Sequence, residues 1–239
     1  MCGRYVLATP VGELAAYFSA QMSPSLSNSF HPSWNIPPTT DIIAVTADRS
    51  GSRNLDLFRW GLVPSWAKDL SFGARTINAR AETVATKPSF RSAFRSQRCI
   101  IPADGYFEWK TTAGEVKQPY YFNRRDGSPL AFAGLWERYE LQSEAHKQPR
   151  SVFTCAIITT AASSDVEAIH NRMPAILDGR DSWGRWLDGS LSNREELLAM
   201  CQPAPSGTLR MQRVASLVNS VRNNGPELIE ELKDRPSLF

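Results

Sequence analysis

Between Arg98 and Thr160 the chain reads as one apolar run after another: RCII, GYFEWK, PYYFNRR, LAFAGLWERY and SVFTCAIITT. Each is rich in aromatic and β-branched residues, and the linkers TTAGEVKQ and RDGS suit hairpins. Strands that follow one another through short turns must run antiparallel, because a parallel pair needs a long crossover. This stretch therefore restricts the fold to a mostly antiparallel sheet. RYVLA (4–8), IIAVTA (42–47) and LDLFRW (55–60) add strands upstream, the last two joined by the turn-rich DRSGSRN.

Helices are few and short. In TPVGELAAYFSA, Val11, Leu14, Ala15 and Phe18 share one face, with Thr9 as N-cap and Pro10 at the first helical position. SSDVEAIH carries the capping-box pair Ser164 and Glu167 and places His170 in its last turn. Ser192 and Glu195 repeat that signature before NREELLAM. Residues 22–33 read as loop, and 61–80 as a long ordered loop of the kind that often carries function. No repeat, low-complexity tract or Gly/Ser linker divides the chain. One α+β domain is expected.

Composition narrows the function classes. No run approaches the roughly 20 apolar residues of a membrane span, so no membrane partner is expected. The N-terminus lacks a signal-peptide core, and Gly3 is one place too late for myristoylation. An intracellular protein is expected, cytoplasmic and nucleoid-associated in a bacterium. The cysteines, Cys2, Cys99, Cys155 and Cys201, form no CxxC pair, and free thiols are expected. Cys99 and Cys155 read as packing residues within strands. His31, His146 and His170 show no metal-ligand spacing, so neither a metal nor a cofactor is expected. A net charge of +3 permits a nucleic-acid partner without requiring one.

Cys2 stands directly behind Met1. Removing Met1 would give one residue two nucleophiles, an α-amine titrating near ~7.7–8 and a thiol near ~8.5. The amine condenses with an aldehyde to a Schiff base, and the thiol then closes a five-membered thiazolidine on the same carbon. The alternative is a chance cysteine at a disordered terminus. Three more stretches offer polar groups, each with a plain structural alternative. Asn78 in INAR is either a site residue or a turn residue. Glu108 in ADGYFEWK is a site residue or the solvent-facing position of an alternating strand. His170 in AIHNRMP is a site residue or a complement to the negative end of its helix.

Taken together the motifs resemble the SOS-response-associated peptidase-like (SRAP) family of abasic-site processing proteins. They are MCGRY (1–5), WNIPPT (34–39), RWGLVPSW (59–66), INARAET (77–83) and RCIIPADGYFEWK (98–110), then FAGLWE (132–137), TTAA (159–162), IHNRMPAIL (169–177) and VNSVRNNGPELI (218–229). The resemblance covers essentially the whole chain. It implies a single SRAP domain over 1–230, a twisted sheet or open barrel flanked by short helices, with a polar tail over 231–239.

The resemblance also implies an activity. The protein would bind single-stranded DNA, or a strand–duplex junction, at an abasic site and link to the sugar aldehyde through processed Cys2. Peptidase action would be limited to removing Met1, and the chemistry would be lyase-like. Asn78 would orient the amine, Glu108 would act as general acid/base, and His170 would give a proton to the sugar oxygen. Arg4, Arg80 and Arg172 would meet phosphates. Pro38 and Trp66 would wedge against bases, and Asn35 belongs to the same DNA-binding set. Trp66 has core packing as its alternative. A monomer without cofactor is implied. Two departures from the family pattern bear on phosphate contacts: Ser33 replaces a basic residue, and a second basic position is displaced to Lys87. The rival classes are an N-terminal-nucleophile amidohydrolase, a non-catalytic single-strand binding module and a plain protease.

Overall fold

The computed structural model describes residues 2–24, 26, 30–111, 117–141 and 150–233. Its strands in the first half are β1 (Tyr5–Leu7), β2 (Ala20–Met22), β3 (Ser33–Ile36), β4 (Asp41–Ala47), β5 (Arg53–Trp60) and β6 (Asn78–Arg80). The second half adds β7 (Arg98–Ala103), β8 (Gly105–Thr111), β9 (Lys117–Arg124), β10 (Leu130–Leu141), β11 (Arg150–Ala161), β12 (Arg172–Pro174) and β13 (Leu209–Arg213). The helices are α1 (Val11–Phe18), α2 (Ala81–Val84), α3 (Arg91–Ser96), α4 (Gly179–Leu187) and α5 (Arg194–Ala199).

The run of sequential strands pairs antiparallel: β7 with β10 at Cys99↔Gly134, and β10 with β11 at Trp136↔Cys155. The β4–β5 hairpin joins β7 through Val45↔Ile100. The end of β5 then reaches β11 in parallel, Arg59↔Thr154 and Trp60↔Cys155. That last pairing closes β4, β7, β10, β11 and β5 into a barrel, where a twisted sheet or open barrel was expected. Closure satisfies edges that would otherwise be left unpaired. It joins segments far apart in sequence, so no local pattern announces it. A second sheet runs β13-β9-β8-β1-β3. Aromatics fill the space between the two: Tyr5 meets Trp60 edge-on at 5.4 Å, and Tyr106 stacks on Phe122 at 5.2 Å.

Several local expectations change. Pro10 takes the cap position of α1, because the Thr9 hydroxyl donates to Asp104 Oδ1 at 2.6 Å instead. SSDVEAIH forms successive turns rather than a helix, and Ser164 bonds Ser206 rather than closing a capping box. Asn193, not Ser192, caps α5, its Oδ1 accepting from the backbone N–H groups of Glu195 and Glu196. The loop 61–80 is ordered by a close crossing of Gly61 and Gly73. A Cβ on Gly61 would lie 2.6 Å from the Gly73 oxygen, and Gly61 also holds φ +132°. The expected tail begins with a paired residue, Glu231 bridging to Val214, and residues 234–239 lie outside the described residues.

Arg98 ties the barrel to its helices. It is buried, and its guanidinium donates to the carbonyls of Phe94 and Arg95 in α3. It also donates to the carbonyls of Trp186 and Asp188 at the end of α4, and to Leu191. These include helix-end carbonyls that lack intrahelical donors. One planar fork thus closes two helices. Arg98→Met should lower stability by roughly 3 kcal/mol or more, since several buried acceptors lose a charged donor. Arg98→Lys should restore little, because an ammonium cannot span the same set. Urea unfolding checks both, and a near-native midpoint for either variant would mean that other donors replace the guanidinium.

Candidate functional site

Cys2 is fully buried, in the core cluster that also contains Tyr5 and Tyr106. Its carbonyl accepts a hydrogen bond from Asn78 Nδ2 at 2.7 Å. Asn78 is placed by β6, which runs parallel to β11 with Asn78 opposite Ile157. Glu108 lies on β8 opposite Tyr120 and is 3 % exposed. The sequence left open whether this strand alternates toward solvent. It does not: Tyr106 and Phe107 are buried on opposite faces, so both sides of β8 are covered here.

His170 faces the carboxylate, its Nε2 lying 4.0 Å from Glu108 Oε2. The helix expected to carry it is absent, so no helix dipole acts on the ring. Its Nδ1 accepts from the Arg172 backbone N–H at 3.0 Å. When Nδ1 accepts it carries no proton, and the neutral ring then holds its proton on Nε2, toward Glu108; the Arg172 carbonyl, 3.2 Å from the same nitrogen, favours the opposite tautomer. The four residues expected to act chemically, Cys2, Asn78, Glu108 and His170, are therefore gathered in two contacting pairs, and the Glu108 charge acts on Cys2.

Burial dominates the electrostatics. It pushes the Cys2 thiol far up, reinforced by the Glu108 charge. The thiolate fraction that an exposed cysteine would offer near neutrality is thus suppressed, a correction to the sequence reading. Burial likewise raises the Glu108 carboxyl. A polar cleft of about 540 Å³ opens on the pair, lined by Glu108, Trp109, Thr111, Lys117, His170 and Asn219. Trp109 Nε1 donates to Asn219 Oδ1 at 2.7 Å and fixes one wall. A larger cavity of about 960 Å³, against Arg53, Trp136 and Asp188, contains none of these groups. Chemistry rather than size selects the smaller one.

The residues expected to meet DNA divide. Trp66 is 59 % exposed, its ring edge-on to Phe72 at 5.1 Å, which removes core packing as its explanation. Arg80 is exposed and Pro38 half-buried. Pro38 precedes Thr39, a β-branched residue held at φ 65°, a strained conformation. Asn35, by contrast, is buried, and its Nδ2 donates to Ser220 and Asn223 carbonyls at 2.9 and 2.8 Å. Its Oδ1 accepts from Arg4 Nη1 at 2.7 Å, and that same nitrogen donates to the Val218 carbonyl. Arg4 and Asn35 thus clamp the 218–223 segment. Arg172 is held by Glu82 through paired contacts of 2.8 and 3.0 Å.

Sequence reasoning missed Tyr5 and Tyr106. Both are fully buried, burial raises both phenols, and neither hydroxyl finds a hydrogen-bond partner among the described residues. Tyr106 stands two residues before Glu108 on one strand, so the alternation could have placed the two on one face. Lys117 and Asn219 gave no such signal, since they enter the cleft from separate segments.

The fold and site define an α+β protein that buries a cysteine next to its N-terminus beside a carboxylate and an imidazole, under a closed barrel. The chain belongs to the SRAP family, SOS response associated peptidase, which it matches over residues 1–221. It is 39% identical over 231 residues to the abasic site processing protein YoqW of Bacillus subtilis (strain 168), covering 96% of this chain and 99% of that one. It is 35% identical over 202 residues to the abasic site processing protein HMCES of Gallus gallus, covering 75% and 58%. A crystal structure of a Bacteroides thetaiotaomicron protein superposes with a TM-score of 0.85 at 26% identity, over 97% of this chain and 100% of that one.

The raised Glu108 carboxyl makes a stability prediction. The folded protein holds this proton to higher pH than the unfolded chain, whose ordinary value is 4.5. Ionisation therefore destabilises the fold as pH climbs from there through the folded value. Glu108→Gln should raise the melting temperature at about pH 7, and the gain should vanish toward about pH 4. Calorimetry across that range checks it. A Gln variant no more stable than wild type at neutral pH would mean that local positive charge fully offsets the burial.

Proposed function

We propose that this protein captures abasic sites in single-stranded DNA covalently, through Cys2 freed of Met1. The observation that carries the reading is the Asn78 bond to the Cys2 carbonyl, which holds the residue beside the Glu108–His170 pair. The names of its relatives support abasic sites as the target.

The ring-opened sugar presents an aldehyde at C1′. The α-amine adds to that carbon, and the carbinolamine loses water to leave an imine. The thiol then adds to the imine carbon while its proton passes to the imine nitrogen, closing a thiazolidine. Burial makes the Glu108 carboxylate a stronger proton acceptor than an exposed one, and its hydrogen-bond reach to the amine and sugar would let it give and take the protons that ring opening and dehydration move. His170 Nε2–H serves as donor to the departing sugar oxygen. Because burial disfavours the thiolate, the amine acts first, and ring closure relies on the proximity of a thiol already attached to the same residue. A binding module alone would have no use for a carboxylate buried beside a cysteine. Met1 removal, the one peptide cleavage assigned to this site, falls to the same groups.

Trp66 and Pro38 supply a sequence-tolerant apolar wedge, with stacking worth ~1–3 kcal/mol per base. Arg80, an exposed cation, supplies a phosphate contact. Arg80→Ala should make the salt dependence of single-strand affinity shallower by about 0.7 in log–log slope, one phosphate's share. An unchanged slope would take Arg80 off the binding face.

The covalent step is tested with a uracil oligonucleotide pretreated with uracil glycosylase. Wild type should give a protein–DNA band that survives denaturation. Cys2→Ala should give a link seen only after borohydride trapping. A variant with an uncleaved N-terminal tag keeps the thiol but lacks the free amine, and it should form no stable link. Equal cross-linking by the tagged and processed proteins would exclude the amine as nucleophile. Glu108→Gln should slow formation roughly 10²–10⁴-fold while leaving DNA binding intact.

A further inference from the structure

The contacts of Arg172 join two motifs that the reaction uses separately. Its guanidinium takes both oxygens of Glu82, at 2.8 and 3.0 Å, and also donates to the Thr159 carbonyl of β11 at 2.6 Å. The Arg172 side chain is only 14 % exposed, so this fork is its settled position. Its backbone, meanwhile, meets the His170 ring. The N–H of Arg172 lies 3.0 Å from Nδ1, and its carbonyl oxygen lies 3.2 Å from the same nitrogen. Donor and acceptor thus compete for one ring atom. If the N–H wins, Nδ1 accepts and the proton is on Nε2. If the carbonyl wins, Nδ1 must carry the proton, and Nε2 turns a lone pair toward the Glu108 carboxylate.

We propose that Glu82 is a positioning residue for His170: by gripping the Arg172 side chain it fixes the Arg172 backbone, and so keeps the ring proton on Nε2, facing Glu108. The inference rests on the reading that His170 moves a proton during abasic-site capture. Glu82 itself is 54 % exposed, on a helix of four residues, and an ordinary ion pair in such a place contributes little stability. Its bidentate geometry instead restricts orientation. The carboxylate also neutralises Arg172 in the free protein. Arg172 thereby becomes a support for the acid–base pair rather than a free phosphate partner.

The full-length protein tests this with ¹⁵N NMR of the His170 ring, assigned by comparison with a His170→Ala sample. Wild type should show the Nε2–H form. Glu82→Ala should shift the ring toward a mixture with the Nδ1–H form, and Glu82→Gln, which keeps the shape and one acceptor, should restore part of the wild-type signal. Cross-link formation by Glu82→Ala should fall roughly 10–100-fold, as when an orienting partner is lost. Affinity for undamaged single strands should fall by no more than about twofold, because the change is not in the binding face. An unchanged tautomer in Glu82→Ala would overturn the proposal. So would a loss of undamaged-strand affinity equal to the loss of rate, which would place Glu82 in DNA binding. If wild type forms no link at all, the functional reading fails, while the ring signals still decide whether Glu82 orients His170.

Discussion

Strand β11 is the axle of this molecule. On one edge it pairs with β10 and, beyond Gly134↔Ile157, with β12. On its other pairings it meets first β5, at Thr154 and Cys155, and then β6, from Ile157 to Thr159. The β5 contact closes the barrel. The β6 contact places Asn78, and the β12 contact begins at Arg172, which orients His170. The strand that completes the fold therefore also sets the distance between the two halves of the site. A shift of register by one residue would turn every side chain of β6 or β12 to the opposite face. Barrel closure and site geometry are fixed by the same hydrogen bonds.

Burial then sets how the site can react. Cys2 lies in the same core cluster as Tyr5, Tyr106, Trp60 and Phe132, and Glu108 is buried at the floor of the cleft, so water solvates an anion poorly at either group. Each group is driven toward its protonated form. For the carboxyl this means that it keeps its proton to higher pH than an exposed glutamate would. For the thiol it suppresses indiscriminate reactivity, because the thiolate is the species that oxidants and stray electrophiles attack. The same desolvation that destabilises the ionised fold thus restricts the cysteine to an electrophile delivered to it.

Much of the two sheets was legible because these strands are sequential and strongly apolar. β7, β8, β9, β10 and β11 fall where RCII, GYFEWK, PYYFNRR, LAFAGLWERY and SVFTCAIITT put them. The parallel pairings were not legible, because β5 with β11 and β6 with β11 are decided by tertiary closeness and leave no period in the sequence. Capping signals misled for a specific reason. Thr9 and Ser164 have the right side chains, yet Asp104 and Ser206 offer them better partners from distant segments. In the site, Asn78, Glu108 and His170 were named through motifs. Their contacts, and the part played by Glu82, depend on which way side chains turn once three strands meet.

The distribution of arginines carries the last step. A basic side chain near a DNA-binding surface reads from sequence as a phosphate partner, and Arg4, Arg80 and Arg172 look alike in that respect. Arg4 donates to Asn35 and to the Val218 carbonyl, and burial lowers its affinity for its proton. Arg172 is matched by a carboxylate. Only Arg80 of the three is exposed. If the face bearing Arg80 and the exposed Trp66 binds DNA as proposed, stacking contributes beside charge, and its affinity should vary less with salt than three free arginines would allow. Two of the three positive charges stand instead behind the surface, one under the 218–223 segment and one behind His170. There they hold the parts that do the chemistry.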